Sequence, residues 1–233
     1  MVHNIQPHEG KNKMSNIIMK LLAKHSFAII SHSNDAADFI KQNYNRETIY
    51  ICHPIKPFHF EEKKTDKLID FLIWGTILPY KGIKEFVSSS YIQTTSYRIH
   101  IAGKCPNKEL ASEISKYCND NISFENRRID FDELHSLIAK SKYVLFPYLN
   151  GTVSSSGVLI DTIALGGTPL GPHFGAFKDL HEEGVCCTYH ELNDLENYAL
   201  SDFQIDSHTI ESFFEHNSWE LFAQRIYEVT DTK

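Results

Sequence analysis

Short apolar runs alternate with segments of helical periodicity along most of the chain. Apolar runs at 27–30 and 48–52 predict two strands, and the pattern between them predicts a helix at 34–43. Ser33 is placed to cap this helix. A charged segment with two prolines follows at 53–67 and indicates a linker.

Beyond the linker the same alternation continues with stronger signals. Strands alternating with helices favour right-handed crossovers and an α/β fold built on a parallel sheet. The sequence therefore predicts one parallel sheet with helices around it, preceded by a partial α/β unit. The predicted strands are 68–74, 97–102, 122–124, 143–146, 168–171 and 185–188, and the clearest predicted helices are 83–88, 108–117, 131–139 and 157–165.

Composition excludes several classes of protein. Of the 233 residues 42% are hydrophobic and 23% charged, which is typical of a globular chain with a real core. The formal net charge of −7 argues against a nucleic-acid-binding protein. Five cysteines without a CxxC pair indicate neither a disulfide framework nor a zinc site, so we expect a reducing, cytoplasmic setting. No apolar run approaches the length of a membrane span.

In open parallel sheets, ligands bind beyond the carboxyl ends of the strands. This rule selects the loops at 75–82, 103–107, 126–130 and 147–157. In the first of these loops Gly75 permits a sharp turn, and Lys81 next to a helix start predicts an anion site. A solvated lysine beside a glycine fits the same pattern equally well.

The fourth loop brings several hydroxyls to one helix. Three consecutive serines and Gly157 precede the predicted helix, an arrangement typical of phosphate binding. Asp161 lies one helical turn further on. A serine-rich cap with the aspartate in a solvent ion pair is the structural alternative.

The remaining candidates are weaker. His3 and His8 lack a nearby third ligand, so we expect no metal site there. Cys186 and Cys187 are adjacent in a predicted strand and indicate apolar packing. No GxSxG elbow is present for a hydrolase triad, so a hydrolase is the least supported interpretation.

Taken in order, these segments resemble a known family. The series GTILPYKG, IHIAGKCPNKEL, NRRIDFDELHSLIAKSKYVLFPY, SSSGVLIDTIALGGTPL and GPHFGAFKDL is similar to the C-terminal, nucleotide-sugar-binding domain of family 4 glycosyltransferases, which have the two-domain GT-B fold. The resemblance implies a Rossmann-like domain at 56–215, preceded by the end of an incomplete acceptor-side domain at 1–55. Residues 216–233 would form a terminal helix returning toward that domain.

The resemblance also implies roles for individual residues. The residues implied to contact the donor diphosphate are Gly75, Lys81, Ser156, Gly157 and Val158, and those implied to contact the nucleoside are Arg128, Ile129 and Asp161. Ser154 and Ser155 would contact the donor sugar. His3 would make the catalytic contact to the sugar, with His8 a second candidate.

Two positions depart from the family pattern. Thr76 stands where many members carry an arginine, and Val153 stands where the first of two paired glutamates is expected. Asp161 takes the place of the second glutamate as a ribose acceptor. The neighbouring serines would then replace the lost sugar contact by hydroxyls.

The implied function is retaining transfer of a sugar from a nucleoside-diphosphate sugar to a glycan or lipid-linked acceptor, with no metal required. Polysaccharide biosynthesis and contact with a membrane surface are the implied setting. The alternative is a non-catalytic nucleotide-sugar-binding fragment or subunit, completed by a partner chain or a missing N-terminal segment. The donor base, the sugar, the acceptor and the oligomeric state are not specified by the sequence.

Overall fold

The computed structural model describes residues 13–58, 65–149, 156–201 and 203–231. Its strands form two parallel sheets. The strands are β1 (Ile30–Ser31), β2 (Ile49–Tyr50), β3 (Ile69–Trp74), β4 (Ile99–Ala102), β5 (Ile122–Glu125), β6 (Ser141–Leu145), β7 (Pro169–Pro172) and β8 (Cys187–Tyr189). The helices are α1 (Lys13–His25), α2 (Asn34–Tyr44), α3 (Ile83–Ser88), α4 (Ser90–Thr94), α5 (Lys108–Ser115), α6 (Phe131–Ala139), α7 (Gly157–Ala164), α8 (Gly175–Glu182), α9 (Leu195–Leu200), α10 (Ser207–His216) and α11 (Trp219–Asp231).

The larger sheet has six strands in the order β5-β4-β3-β6-β7-β8, and every neighbouring pair is parallel. Side chains alternate between its two faces, as strand geometry requires. Leu72 and Val144 face one apolar cluster, which includes residues of α6, α7 and α8. Phe71 and Tyr143 face a second cluster, which includes residues of α3 and α5. Helices therefore cover both faces, and the predicted α/β fold is confirmed.

The chain order creates a crevice beside the central strand. From β3 the chain adds β4 and β5 on one side and then returns to place β6 on the other side of β3. The loops after β3 and β6 consequently leave the sheet in opposite directions. Such a switch point is where open parallel sheets bind ligands.

The smaller sheet contains only β1 and β2 and joins the larger unit through helix ends. The Asn34 N–H at the start of α2 donates to Asp179 Oδ2 of α8 at 2.9 Å. In return, the Gly175 N–H at the start of α8 donates to Asp35 Oδ2 of α2 at 2.6 Å. Each helix thus supplies a carboxylate to the positive end of the other, which fixes how the two helices meet.

The local predictions hold with shifted boundaries. Ser33 does cap α2, since its side chain accepts from the Ala36 N–H at 3.2 Å. The strand predicted at 27–30 is wrong in position, because pairing begins at Ile30. Helices α1 and α4 were not predicted. The division at 55/56 and 215/216 stays a prediction.

No helix in the described ranges combines the length and apolarity needed to cross a membrane.

Candidate functional site

The loop after β3 turns at two glycines in the left-handed region. Gly75 has φ of +97° and Gly82 has φ of +67°, a conformation that glycine adopts without strain. Between them, Pro79–Lys81 form a single 3₁₀ turn, and Gly82 then caps α3. Lys81 therefore ends this turn one residue before the helix cap, instead of opening the helix as the sequence suggested.

Lys81 is the buried cation of this loop. Its side chain is only 5% exposed, and no described residue accepts a hydrogen bond or ion pair from its ammonium group. The Nζ atom lies 5.9 Å from the centre of the Tyr148 ring, which offers a weak cation–π contact. Burial lowers the lysine pKa to about 8. A buried ammonium without an anion is costly, and an anionic ligand would relieve that cost.

The first turn of α7 faces the same glycine. A Cβ built on Gly75 would lie 3.4 Å from Lys81 Nζ and 3.4 Å from Val158 Cγ2. Ser156 is the N-cap residue of α7, and its hydroxyl lies 3.3 Å from the Tyr148 hydroxyl. The first turn carries no acidic residue. The lysine and the positive end of α7 thus converge on the crevice between β3 and β6.

Asp161 follows one turn later on α7 and is half-buried. Burial raises the pKa of its carboxyl, and the nearby His53 opposes that rise. His53 belongs to the segment after β2, so the smaller unit reaches the mouth of α7 here. His53 and Ser156 also line the same small cavity.

The loops after β4 and β5 are joined to each other. Asn126 Oδ1 accepts a hydrogen bond from the Cys105 N–H at 2.9 Å. Arg128 is exposed, whereas Ile129 is partly buried against the core cluster of α6 and α7. Asp130 caps α6 by accepting from the Glu133 N–H at 2.9 Å. These contacts give the loop a defined path along the same edge of the sheet.

The structure brings together one group of the predicted site residues and separates another. The first group lies at the β3–β6 crevice and on α7: Gly75, Lys81, Ser156, Gly157, Val158 and Asp161. Arg128 and Ile129 lie two strands away, after β5. His3, His8, Ser154 and Ser155 lie outside the described residues.

Two residues of the crevice were missed by the sequence reasoning. Tyr148 connects the lysine to the cap of α7. The feature of the sequence that could have identified it is its position shortly after an apolar strand. His53 had no local signal, because it reaches Asp161 from another unit. Within the described ranges no group of three or more His, Cys, Asp or Glu residues is arranged to hold a metal ion.

No protein-family model matches the sequence, and no curated protein sequence matches it significantly. Solved structures do match. Sucrose-phosphate synthase from Thermosynechococcus elongatus is 14% identical with a TM-score of 0.71, covering 97% of this chain and 63% of its own. TarM, known from S. aureus, is 14% identical with a TM-score of 0.67, covering 99% of this chain and 49% of its own.

HepE from Anabaena, solved with UDP and also with UDP-glucose, is a third similar structure. The UDP complex is 14% identical with a TM-score of 0.70 and covers 100% of this chain and 71% of HepE. By contrast, the chain spans less than two thirds of the TarM and sucrose-phosphate synthase chains. These neighbours are glycosyltransferases of the GT-B type. The chain has the Rossmann-like α/β fold of these enzymes, as the sequence predicted.

Proposed function

We propose that the chain binds a nucleoside-diphosphate sugar at the β3–β6 crevice and transfers the sugar to a glycan or lipid-linked acceptor. The diphosphate lies between Lys81 and the first turn of α7. Asp161 accepts from a ribose hydroxyl, and the backbone at 128–129 contacts the nucleobase. The binding of UDP and UDP-glucose by HepE, which has the same fold, supports this class of ligand.

One observation carries the proposal. Lys81 is an ammonium buried to 5% exposure with no anion among the described residues, and it faces the positive end of a helix. Two positive groups directed at one crevice would repel each other unless a multivalent anion separates them. A diphosphate has the size, the charge and the acceptor atoms to do so.

The same groups suit the chemistry of transfer. When the bond between the sugar and the diphosphate breaks, negative charge grows on the leaving phosphate. Lys81 and the N–H groups of Gly157 and Val158 would stabilise that charge at fixed positions. In this proposal the acceptor attacks on the face from which the diphosphate leaves, so the configuration is retained. Protein cations and dipoles supply the neutralisation without a metal ion.

A thermal-shift panel tests the binding step. A ligand that binds only the folded state stabilises it by about 2.7 kcal/mol at 100 times its Kd. At least one of UDP, GDP, ADP and dTDP should raise the melting temperature of the wild type. The shift should vanish in Lys81→Met and persist in Lys84→Met, whose lysine is paired with Glu113 at 2.8 Å. No shift with any nucleotide would overturn the proposal.

A second candidate is a donor-binding subunit that needs a partner chain for its acceptor site. An exposed apolar stripe on α1 favours it, because such stripes mark interaction surfaces. The stripe consists of residues spaced at helical intervals and exposed by 49–59%: Met14, Ile17, Ile18, Leu21 and Leu22. Transfer of radiolabelled sugar by the purified chain alone would exclude this candidate.

A further inference from the structure

The end of β3 and the start of α7 are joined by two consecutive side-chain hydrogen bonds. Trp74 Nε1 donates to Thr162 Oγ1 at 3.0 Å. The same Thr162 hydroxyl donates to the Val158 carbonyl at 2.8 Å. The hydroxyl therefore acts as acceptor and donor at once, and its proton is committed to the helix.

The relay spans both elements of the proposed diphosphate site. Trp74 directly precedes Gly75, the glycine that faces Lys81. Val158 lies in the first turn of α7, and its side chain contacts the same glycine. A displacement of Trp74 relative to Thr162 would thus change the distance between the ammonium group and the helix N-terminus.

Burial makes the relay stiff. Thr162 is fully buried, and the Trp74 ring packs at the edge of the core cluster of α6 and α7. A buried indole N–H needs an acceptor, and a buried hydroxyl that has lost its partner costs about 1 to 3 kcal/mol. Valine, which has nearly the same shape, would fill the Thr162 position about equally well by packing alone. The hydroxyl supplies both hydrogen bonds of the relay, one to the strand and one to the first turn of the helix.

We propose that Trp74 and Thr162 are positioning residues that hold the first turn of α7 at a fixed distance from Lys81, so that both engage one diphosphate. This inference rests on the proposed function. Binding sites need supporting residues that keep their charged groups within about 0.5 Å of the productive geometry. Neither residue touches the ligand in this arrangement.

Isothermal titration with pyrophosphate, with the nucleoside diphosphates UDP, GDP, ADP and dTDP, and with the corresponding nucleosides tests the proposal. Thr162→Val removes the hydroxyl and keeps the shape, and Thr162→Ser keeps the hydroxyl. Thr162→Val should weaken pyrophosphate binding by at least about fivefold. It should lower by the same factor the ratio of two affinities, that for the preferred nucleoside diphosphate over that for its nucleoside. Thr162→Ser should stay within about twofold of the wild type. Trp74→Phe should reproduce the loss and serves if Thr162→Val does not fold.

Ser141→Ala is the matched control, since Ser141 is 2% exposed and donates to the Leu137 carbonyl at 2.7 Å at the opposite end of β6. It should lower stability without changing the ratio. If Thr162→Val and Trp74→Phe also lower stability and leave the ratio unchanged, the relay is merely structural and the inference is wrong. If the wild type binds none of the diphosphates, the proposed function itself fails, and the positioning role fails with it.

Discussion

Replacing Lys81 by methionine should make the free protein more stable while abolishing its binding of diphosphates. Burial lowers the lysine pKa from 10.5 to about 8. At pH 7 the group is charged in both the folded and the unfolded chain, so folding bears the full cost of burying the charge. At about 1.4 kcal/mol per pKa unit, the cost is about 3 kcal/mol. Methionine keeps most of the apolar stem, so we expect a gain of about 1 to 3 kcal/mol.

The dependence of stability on pH tests the direction of this effect a second time. Between about pH 8 and 10.5 the unfolded chain holds this proton and the folded chain does not. The contribution of Lys81 to stability therefore rises with pH across this range, because the unfolded state binds more protons. The advantage of Lys81→Met over the wild type should be largest at pH 7 and should shrink by pH 9.5.

Urea unfolding followed by tryptophan fluorescence, at pH 7 and pH 9.5, measures both effects. Lys84→Met is the control, and it should change stability little because exposed ion pairs contribute little. Isothermal titration with pyrophosphate then measures binding in all three proteins. A Lys81→Met variant that is clearly less stable than the wild type at pH 7 would show that the buried lysine has a stabilising partner, contrary to this prediction. If Lys81→Met binds pyrophosphate as tightly as the wild type, Lys81 does not bind the diphosphate.

Three further changes test other parts of the account. Gly103→Ala places a Cβ 2.0 Å from the Gly75 carbonyl oxygen. Urea unfolding should therefore show a loss of about 1 to 3 kcal/mol in stability, and titration should show a weaker diphosphate affinity. Wild-type values for both would contradict this close packing. Tyr148→Phe keeps the ring and loses the hydroxyl contact to the cap of α7, so it should cost about 1 kcal/mol and weaken pyrophosphate binding less than Lys81→Met. Burial raises the pKa of Asp179, which accepts from Asn34, so ionising it costs stability as pH rises through that pKa. The stability of Asp179→Asn relative to the wild type should therefore rise as the pH rises above about 4, and a difference in urea unfolding that stays constant with pH would contradict this.

The strands of the larger sheet and the two loops that line the crevice were accessible from the sequence. Strands buried on both faces are nearly continuous apolar runs, so 68–74 and 143–146 stand out against polar loops. Gly75 comes directly after the first run, and Lys81 lies in the loop that Gly75 begins. Local pattern, together with the rule that ligands bind beyond the carboxyl ends of parallel strands, was enough to predict an anion site there.

The remaining features depend on contacts between distant segments. The Asp35 carboxylate in the first turn of α2 accepts from the Gly175 N–H, 140 residues away. The hydrogen bond between Trp74 and Thr162 joins residues 88 positions apart. Helical or strand periodicity carries no information on such pairs, because it reports only which face of an element is apolar.

Helix α1 was not predicted, although its sequence carries a helical apolar pattern. Its apolar residues occupy two faces: Met19 and Ala23 pack inward on Ile40, while another stripe is exposed. The exposed stripe recurs at helical intervals, so the periodicity that identifies an amphipathic helix was present in the sequence of α1.

A crystal structure of the chain with a nucleoside diphosphate, chosen by titration, would show directly where the diphosphate binds. We expect the diphosphate between Lys81 Nζ and the N–H groups of Gly157 and Val158, at charge-assisted hydrogen-bond distances of about 2.7–2.9 Å. A nucleotide bound elsewhere, with the Lys81 ammonium still unpaired, would contradict it.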